Sequence, residues 1–319
     1  MLVVMWLASF GLLAEAWNAL VAVAARVRPA VAAAHLSPAR FVTWMGLVAA
    51  ILSIWGLIEV NSLHLESIPI ATSKMPPGTP PLRILQVSDL HLMPATGRRE
   101  VDRILRLARE VKPDLVVCTG DTFESADPCM EQVAARLDLL RPPLGKLAIL
   151  GNHEYYVGIP RSLELLQASG FRVLRDMMVR YTWSDAGIAV VGTDDPAAAM
   201  TRSRCRTDEA SLLSVTSRQD FTLLLKHLPV VNATAAKRFD LQLSGHTHGG
   251  QIFPFHVWVS MFFPKLSGLY ELPGGAKLYV SRGVGTWGPP IRVLARPTIT
   301  LFEIRPAANL ARSTQASAY

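Results

Sequence analysis

Cysteine is scarce in this chain, with three residues among 319, namely Cys118, Cys129 and Cys205. So few and so widely spaced thiols exclude a disulfide scaffold and a cysteine-based zinc finger. Charge is also low, because Asp, Glu, Lys and Arg make up 18% of the residues, against about a quarter in soluble domains. Half of the residues are apolar, which excludes a disordered or fibrous chain and suggests that part of it lies in lipid.

Two N-terminal stretches are almost free of ionisable side chains. Met1–Ala25 contains only Glu15, and Phe41–Val60 contains only Glu59 at its end. Each stretch is close to the ~20 apolar residues that a helix needs to cross a bilayer. A secretory signal peptide is the alternative for the first stretch, but no basic residue precedes its apolar run. We therefore predict two transmembrane helices within residues 1–60.

The basic residues near these stretches predict an orientation. Arg26, Arg28 and Arg40 lie between the two stretches, and the first Lys or Arg after the second is Lys74. Because loops rich in Lys and Arg stay on the cytoplasmic side, this loop is expected in the cytoplasm. The rest of the chain after Val60 is then expected outside the cytoplasm, attached to the cell (inner) membrane.

The remainder of the chain has the pattern of one large α/β domain over residues 61–306, with a disordered tail over 307–319. Short apolar runs alternate with helical patterns such as Arg99–Val111, and an edge strand is expected near Leu63–Ala71. The core runs are Arg83–Val87, Leu115–Cys118, Leu147–Leu150, Ile188–Val191, Phe221–Leu225, Leu241–Leu243, Leu278–Val280 and Thr298–Ile304. Continuous apolar runs indicate strands covered on both faces, so a layered α/β sandwich is predicted.

Five of these runs lead directly into polar turns that carry potential ligands. The turns are Ser88–His91, Thr119–Asp121, Gly151–Glu154, Lys226–Pro229 and Ser244–His248. In open α/β sheets, ligands bind beyond the carboxyl ends of the strands, so the five turns are expected to form one site.

The residue types in these turns point to divalent cations. Among other groups they offer two aspartate carboxylates, one carboxamide and four imidazoles, without a thiolate, and this set suits a pair of hard or borderline cations rather than a structural zinc. A carboxylate can bridge two cations, and cations about 3.5 to 4 Å apart can share a hydroxide that is nucleophilic at neutral pH.

The order of these motifs resembles that of the calcineurin-like metallophosphoesterase superfamily, from about Leu82 to Ile304. The resemblance implies a four-layer α/β/β/α sandwich with two mixed sheets. It also implies that His153 faces the leaving group and that Asp121 bridges two metals. The implied ligands are Asp89, His91 and His248 for one metal, and Asn152, His227 and His246 for the other.

A narrower resemblance is to membrane-anchored bacterial phosphodiesterases and phosphatases of this superfamily. It is carried by the runs Ser244–Gln251, Ser281–Thr286, Pro290–Arg292 and Arg296-Pro297. This subgroup is similar to the metallophosphoesterases that cleave UDP-diacylglucosamine in lipid A synthesis.

The sequence therefore predicts a membrane-anchored phosphoesterase with two divalent ions, which are Mn, Fe, Zn or Mg. A hydroxide shared by the ions would attack a phosphomonoester, phosphodiester or pyrophosphate bond of a lipid-linked substrate. Arg282 and Arg292 are candidates for binding the phosphate. The partners expected are the lipid bilayer and this substrate.

Three other functions are weighed against this prediction. A UDP-2,3-diacylglucosamine diphosphatase of lipid A synthesis has the same chemistry. A nuclease would account for the net charge of +7, but the sequence has no basic block, so a nucleic acid partner is not expected. A non-catalytic membrane binding module would lack some of the metal ligands of the five motifs, and all of these ligands are present.

Two further segments carry expectations. Glu154 is expected to orient a metal ligand. Ile252–Tyr270, which is rich in Phe and has the single charge of Lys265, is expected to form core strand and turn. The alternative is a segment that lies in the membrane interface beside the site.

Overall fold

The computed structural model describes residues 2–201 and 208–307. The chain forms two compact units, one that extends to Ile58 and one that begins at Glu59. The predicted domain boundaries after residues 60 and 306 remain predictions. Cys205 and the predicted disordered tail, apart from Ala307, lie outside the described residues.

The first unit consists of two apolar helices. They are α1 (Leu2–Ala25) and α2 (Pro38–Glu59), joined through a 3-10 turn at Pro29–Ala34. The Asn18 side chain donates to the carbonyl of Leu36 at 3.1 Å and accepts from its N–H at 2.9 Å. This amide pair ties α1 to the segment that leads into α2.

One of the two predicted membrane spans is found among the residues that the structure describes in full. Ala39–Glu59 is apolar and, at 21 residues, long enough to cross a bilayer. In α1 the apolar stretch that the structure describes in full is Phe10–Ala25, which is shorter than a span requires. The structure thus supports one of the two predicted spans, and the first span remains a proposal.

Two mixed sheets form the centre of the second unit. The first sheet contains β1 (His64–Thr72), β2 (Leu82–Val87), β3 (Leu115–Cys118), β4 (Lys146–Ala148), β5 (Phe171–Val173) and β12 (Thr298–Pro306). The second contains β6 (Met177–Trp183), β7 (Ala186–Gly192), β8 (Phe221–Leu225), β9 (Leu241–Ser244), β10 (Gly268–Glu271) and β11 (Lys277–Val280).

The strand order makes both sheets mixed, as predicted. In the first sheet the order is β1-β12-β2-β3-β4-β5, and only the β12–β2 pair is antiparallel. In the second the order is β10-β11-β9-β8-β7-β6, with antiparallel pairs at the two edges. β1 lies at an edge of its sheet, where the sequence places it.

Alternation along the strands divides the core into layers. In β3, Leu115 and Val117 pack against the second sheet, whereas Val116 and Cys118 face helices on the other side. The helices on that side are α3 (Gly97–Val111), α4 (Met130–Leu137), α5 (Asn152–Val157) and α6 (Ile159–Ala168). Every side chain of β3 is buried, which explains its unbroken apolar sequence.

The outer face of the second sheet has a thinner cover in the described part of the chain. It consists of the short helix α7 (Glu209–Ser214) and the irregular segment 232–239. Leu213 and Phe239 of this layer belong to the same buried apolar cluster as Leu224 of β8. The two central sheets agree with the predicted four-layer sandwich, but this outer layer is only partly helical.

Ile252–Tyr270 does not form the core strand and turn that the sequence favours. It contains a helix, α8 (Phe255–Phe262), none of whose residues is buried. A short apolar run does not distinguish a strand from a helix by its periodicity, and this explains the wrong prediction.

The parallel strands bring the five polar turns to one edge of the sandwich. β2, β3 and β4 are parallel neighbours in one sheet, and β8 and β9 are parallel neighbours in the other. The buried side chain of Gln86 in β2 donates to Thr119 Oγ1 at 2.9 Å and to the carbonyl of Ser244 at 3.1 Å. This amide links the two sheets directly beneath the turns.

Candidate metal centre

The structure brings together all eight predicted metal-binding and catalytic residues. Each follows the end of a strand, as expected for an open α/β sheet. The residues are Asp89 and His91 after β2, Asp121 after β3, Asn152 and His153 after β4, His227 after β8, and His246 and His248 after β9. Seven of them form two adjoining clusters, and His153 lies beside His91 and Asp121.

The first cluster contains Asp89, His91 and His248, which are all buried. The two ring nitrogens His91 Nε2 and His248 Nε2 are 3.0 Å apart, and His248 Nε2 is 3.7 Å from Asp89 Oδ1. Asp121 Oδ2 approaches the same cluster, 3.9 Å from His91 Nε2.

The second cluster contains Asp121, Asn152, His227 and His246. His246 Nδ1 lies 3.0 Å from Asn152 Oδ1 and 3.2 Å from His227 Nε2. His227 Nε2 lies 3.2 Å from Asp121 Oδ2. Asp121 is therefore the residue that the two clusters share.

These spacings fit a divalent cation in each cluster. Two ligands about 2.1 Å from one cation and at right angles to each other lie about 3.0 Å apart. Pairs of imidazole nitrogens and an amide oxygen are found at 3.0 to 3.2 Å. A cation accounts for such a convergence of lone pairs, which otherwise repel one another.

In two of the histidines, Nδ1 donates a hydrogen bond to a group outside the cluster, so Nε2 is left as a hydrogen-bond acceptor or metal ligand. His91 Nδ1 donates to Glu124 Oε2 at 2.7 Å, and His227 Nδ1 donates to the carbonyl of Thr119 at 2.7 Å. With the proton on Nδ1, the lone pair of a neutral ring is on Nε2, which points into the cluster.

The backbone of the turns is held in an unfavourable conformation. Asp89, His91, Asp121, His246 and His248 all have φ between 43° and 74°. Residues with a Cβ seldom adopt this left-handed region, and such strain is concentrated at functional sites. Here the sharp turns direct side chains from successive strands toward the same point.

Two glycines permit close packing between the turns. A Cβ on Gly151 would lie 2.2 Å from Asp121 Oδ1, and a Cβ on Gly245 would lie 2.1 Å from Ser88 Oγ. Only the absence of a side chain at these positions lets the turns approach one another.

Glu154 is completely buried and orients the Asp121 turn rather than an imidazole. Its carboxylate accepts hydrogen bonds from the N–H groups of Asp121 at 2.9 Å, Thr122 at 2.6 Å and Gly151 at 2.7 Å. Burial and the neighbouring Asp121 carboxylate raise the pKa of Glu154 to about 7. It therefore positions a candidate ligand through the backbone.

The charge of Asp121 is stabilised by the surrounding imidazoles. Burial alone would raise the pKa of this carboxyl, but His227, His91 and His153 outweigh it and hold the pKa below its usual range. Burial and His227 lower the pKa of His246 to about 3. The site thus combines an ionised carboxylate with neutral His246, which is the form that binds cations.

Glu124 is a residue that the sequence reasoning missed. Besides accepting from His91, it accepts from His153 Nδ1 at 2.9 Å. Burial opposes its ionisation, but the hydrogen bonds from His153 and His91 lower its pKa to about 2. Burial likewise opposes the charged form of His153, yet Glu124 and Asp121 raise the pKa of its ring. The feature of the sequence that could have indicated this role is the position of Glu124, three residues after Asp121 in the same turn.

Arg292 does not occupy the position of a phosphate ligand. It is fully buried and donates to the carbonyls of Arg282 at 2.8 Å, Ala295 at 2.9 Å and Gly285 at 3.0 Å. Its Nη2 also lies 3.3 Å from His248 Nδ1. The prediction that it binds phosphate is therefore corrected, because its guanidinium holds the loop beside His248.

Arg282 is partly exposed, and its aliphatic stem lies next to Gly249, the residue after His248. This location is compatible with a phosphate contact, and the contact itself remains a prediction.

Similarity to known proteins agrees with this geometry. Residues 82–250 match the calcineurin-like phosphoesterase family. An uncharacterized metallophosphoesterase of Aquifex aeolicus is 38% identical over 263 residues, which cover 82% of this chain and 99% of that protein. An uncharacterized metallophosphoesterase of Bacillus subtilis is 33% identical over 259 residues, which cover 78% of this chain and 87% of that protein.

A third relative is a transmembrane protein with a metallophosphoesterase domain from Danio rerio. It is 30% identical over 270 residues, which cover 82% of this chain but 62% of the zebrafish protein. The eight residues from Asp89 to His248 all lie within the segment that matches the family. Family members hydrolyse phosphate esters at a dinuclear metal centre. The length of the match and the identity to the Aquifex protein show that this chain belongs to the calcineurin-like phosphoesterase family.

Proposed function

We propose that the protein is a membrane-anchored hydrolase of phosphate esters that uses two divalent cations. The observation that carries the proposal is the pair of ligand clusters that share Asp121. One cation is held by Asp89, His91, His248 and Asp121, and the other by Asp121, Asn152, His227 and His246. The oxygen and nitrogen donors suit Mn, Fe, Zn or Mg.

When bound, the two cations would neutralise phosphoryl oxygens and would supply the hydroxide that attacks phosphorus at neutral pH. The chain supplies the other groups. His153 donates a proton to the leaving oxygen, and Glu124 stabilises the charged ring from 2.9 Å. The ester broken is a phosphomonoester, a phosphodiester or a pyrophosphate.

The membrane part of the proposal places the substrate in or near lipid. It is supported by the apolar helix Ala39–Glu59 and by the name of the zebrafish relative. We propose that α1 is a second span and that the loop with Arg26, Arg28 and Arg40 lies in the cytoplasm. The catalytic unit is then outside the inner membrane, with a lipid-linked ester as its substrate.

A panel of four substrates tests the reaction. The purified full chain is supplied with Mn²⁺ and offered an aryl phosphomonoester, an aryl phosphodiester, a nucleotide-lipid pyrophosphate and DNA. Metal-dependent hydrolysis of at least one of the first three supports the proposal. Cleavage of DNA alone would indicate a nuclease, and cleavage of none would favour a binding module.

Glu124→Gln is expected to weaken both metal binding and turnover. A carboxamide carries no negative charge, and its NH2 group cannot accept a hydrogen bond, so it holds the rings of His91 and His153 less strongly than a carboxylate does. Loss of such an orienting partner lowers metal affinity or rate by roughly 10- to 100-fold. Metal retained after dialysis and the rate on an aryl phosphodiester are compared with those of Glu131→Gln, an exposed control. Equal values in the two variants would mean that Glu124 has no part in the site.

A fragment that begins at Glu59 is expected to retain activity on a small water-soluble ester. All eight site residues lie in this compact unit, so the chemistry does not need the first 58 residues. On a lipid-linked phosphate the fragment is expected to lose about 10²-fold or more, because the anchor supplies effective concentration. Equal losses on the two substrates would contradict an anchoring role for the N-terminal unit.

The orientation is tested by adding protease to intact spheroplasts. The catalytic unit is expected to be digested while a cytoplasmic marker protein survives. Protection of the unit until lysis would reverse the topology. It would then favour the alternative of a UDP-2,3-diacylglucosamine diphosphatase, whose substrate lies in the cytoplasmic leaflet.

A further inference from the structure

Helix α8 presents an apolar surface to its surroundings. Val257, Trp258, Met261 and Phe262 lie along one stripe of this helix and are 52%, 59%, 69% and 77% exposed. The helix contains no Asp, Glu, Lys or Arg. Four large apolar side chains clustered in water are unfavourable, and such a patch marks a surface that contacts a partner or a membrane.

The segment that leads into α8 is joined to the end of the apolar helix Ala39–Glu59. The N–H of Leu294 donates to the Glu59 carboxylate at 3.1 Å, and its neighbour Val293 accepts from the N–H of Phe253 at 3.1 Å. Phe253 is two residues before α8. Glu59 is the last residue of the apolar helix and the first of the second unit, so a chain that crosses a bilayer through this helix leaves it at the residue that Leu294 contacts.

Leu294 itself has the features of a residue that meets lipid. Its side chain is 70% exposed although its backbone φ is 58°, a conformation that is costly for a branched residue. The turn thus displays an apolar side chain that is free to contact lipid. It lies beside Glu59, where that contact would be the membrane.

Basic residues surround the same point of the chain. Arg99 donates to Asn61 Oδ1 at 2.9 Å, Arg103 donates to the carbonyl of Asn61, and Arg296 donates to the carbonyl of Ser62 at 2.8 Å. The residues that accept these hydrogen bonds, Asn61 and Ser62, follow the end of the apolar helix by two and three positions. Cations at this level attract anionic lipid headgroups.

The other end of α8 reaches the metal site. The ring of Phe263, the next residue after the helix, contacts the His246 ring edge-on at a centroid distance of 5.1 Å. Thr247 Oγ1 donates to the carbonyl of Leu266 at 2.6 Å, which fixes the segment after α8 to the turn between His246 and His248. α8 thus connects the loop at Glu59 with the second metal cluster.

We infer that the exposed stripe of α8 and Leu294 insert into the surface of the bilayer that holds Ala39–Glu59, and that they admit the phosphate of a lipid ester to the His246 side of the site. The inference rests on the proposed function for its substrate, but the docking of α8 on lipid does not. Arg99, Arg103 and Arg296 then face the headgroups of anionic lipids.

Docking is tested with a nitroxide at residue 262. The full chain carrying Phe262→Cys, with Cys129 and Cys205 replaced by serine, is reconstituted into phosphatidylcholine vesicles that contain phosphatidylglycerol. The control carries the label at Val215→Cys, an exposed apolar position that is 66% exposed and follows α7. The collision rate of each label with oxygen and with a water-soluble nickel chelate is measured. At residue 262 the rate is expected to be higher with oxygen, and at residue 215 it is expected to be higher with the nickel chelate.

Equal accessibility at residues 262 and 215 would overturn the inference. Dipolar broadening of the nitroxide spectrum at residue 262 would also overturn it. Such broadening would mean that the label lies near the label of another copy of the chain, so that α8 packs against that copy instead of lipid. This measurement needs no turnover, so its result does not depend on the proposed function.

Admission of the substrate is tested with Trp258→Asp combined with Met261→Asp. The measured quantity is the rate on phosphatidylglycerol in vesicles divided by the rate on a soluble aryl phosphodiester. The double variant is expected to lower this ratio about tenfold or more, since charge on the stripe opposes insertion. Val215→Asp is the matched control and should leave the ratio unchanged. An unchanged ratio in the double variant would overturn the inference, whereas failure of the wild type on both esters would contradict the proposed function instead.

Discussion

Replacing Asp121 with asparagine is expected to remove almost all turnover and to weaken the binding of both cations. Its carboxylate is shared by the two clusters, with Oδ2 at 3.2 Å from His227 Nε2 and 3.9 Å from His91 Nε2. A carboxamide has a similar shape but no charge, so each cation loses a negative ligand. The expected fall in rate is at least about 10²- to 10³-fold, as for the loss of one electrostatic stabiliser of a transition state.

The matched control is Asp185→Asn, which makes the same change at an exposed hairpin turn. Bound metal is measured by elemental analysis beside the rate on an aryl phosphodiester. An Asp121→Asn protein with two bound metals per chain and a near-normal rate would disprove the bridging role.

Replacing His153 with alanine is expected to leave the metals in place and to slow the reaction according to the leaving group. His153 donates to Glu124 and has a raised pKa, so its ring is poised to release a proton in the site. General acid catalysis is worth about 10²- to 10⁴-fold and matters least when the leaving group departs unaided. The loss should therefore grow as the pKa of the leaving alcohol rises.

The rates are compared across a series of aryl and alkyl esters, with His64→Ala on the exposed edge strand as the control. An equal loss for every leaving group would instead assign His153 to the metals or to the phosphoryl oxygens. Its ring nitrogen does lie within 4.8 Å of ligand atoms of His91 and Asp121, so the metal content must be measured in the same samples.

The strands that position the site were predictable because they are buried on both faces. β3 and β8 are apolar at almost every position, and the polar turns after them mark the carboxyl ends of the strands. β6 (Met177–Trp183) was missed, because it is an edge strand whose residues are only half-buried or exposed, and it lacks the continuous apolar run by which the core strands were predicted.

The members of the site were predictable from the order of the motifs, but their supporting contacts were not. The pairing of Glu124 with His91 and His153 depends on how two turns meet in space. Arg292 is a candidate phosphate ligand from the sequence, with a surface ion pair as the alternative, whereas the fold buries its side chain beside His248.

Backbone conformation at the site leaves only a partial mark in the sequence. The glycines at 151 and 245 reflect the close approach of two turns, because a Cβ at either position would clash. The left-handed conformations of Asp89 and Asp121 leave no such mark, since neither residue favours them enough to be recognised. They arise from the tertiary contacts of the turns.

The number of divalent cations that the full chain binds tests the central claim most directly. The purified protein is stripped with a chelator and titrated with Mn²⁺, and the bound metal is determined by elemental analysis after removal of the excess. Two clusters that share Asp121 predict saturation at two cations per chain. Saturation at one cation, or no binding, would contradict the dinuclear site on which the proposed function depends.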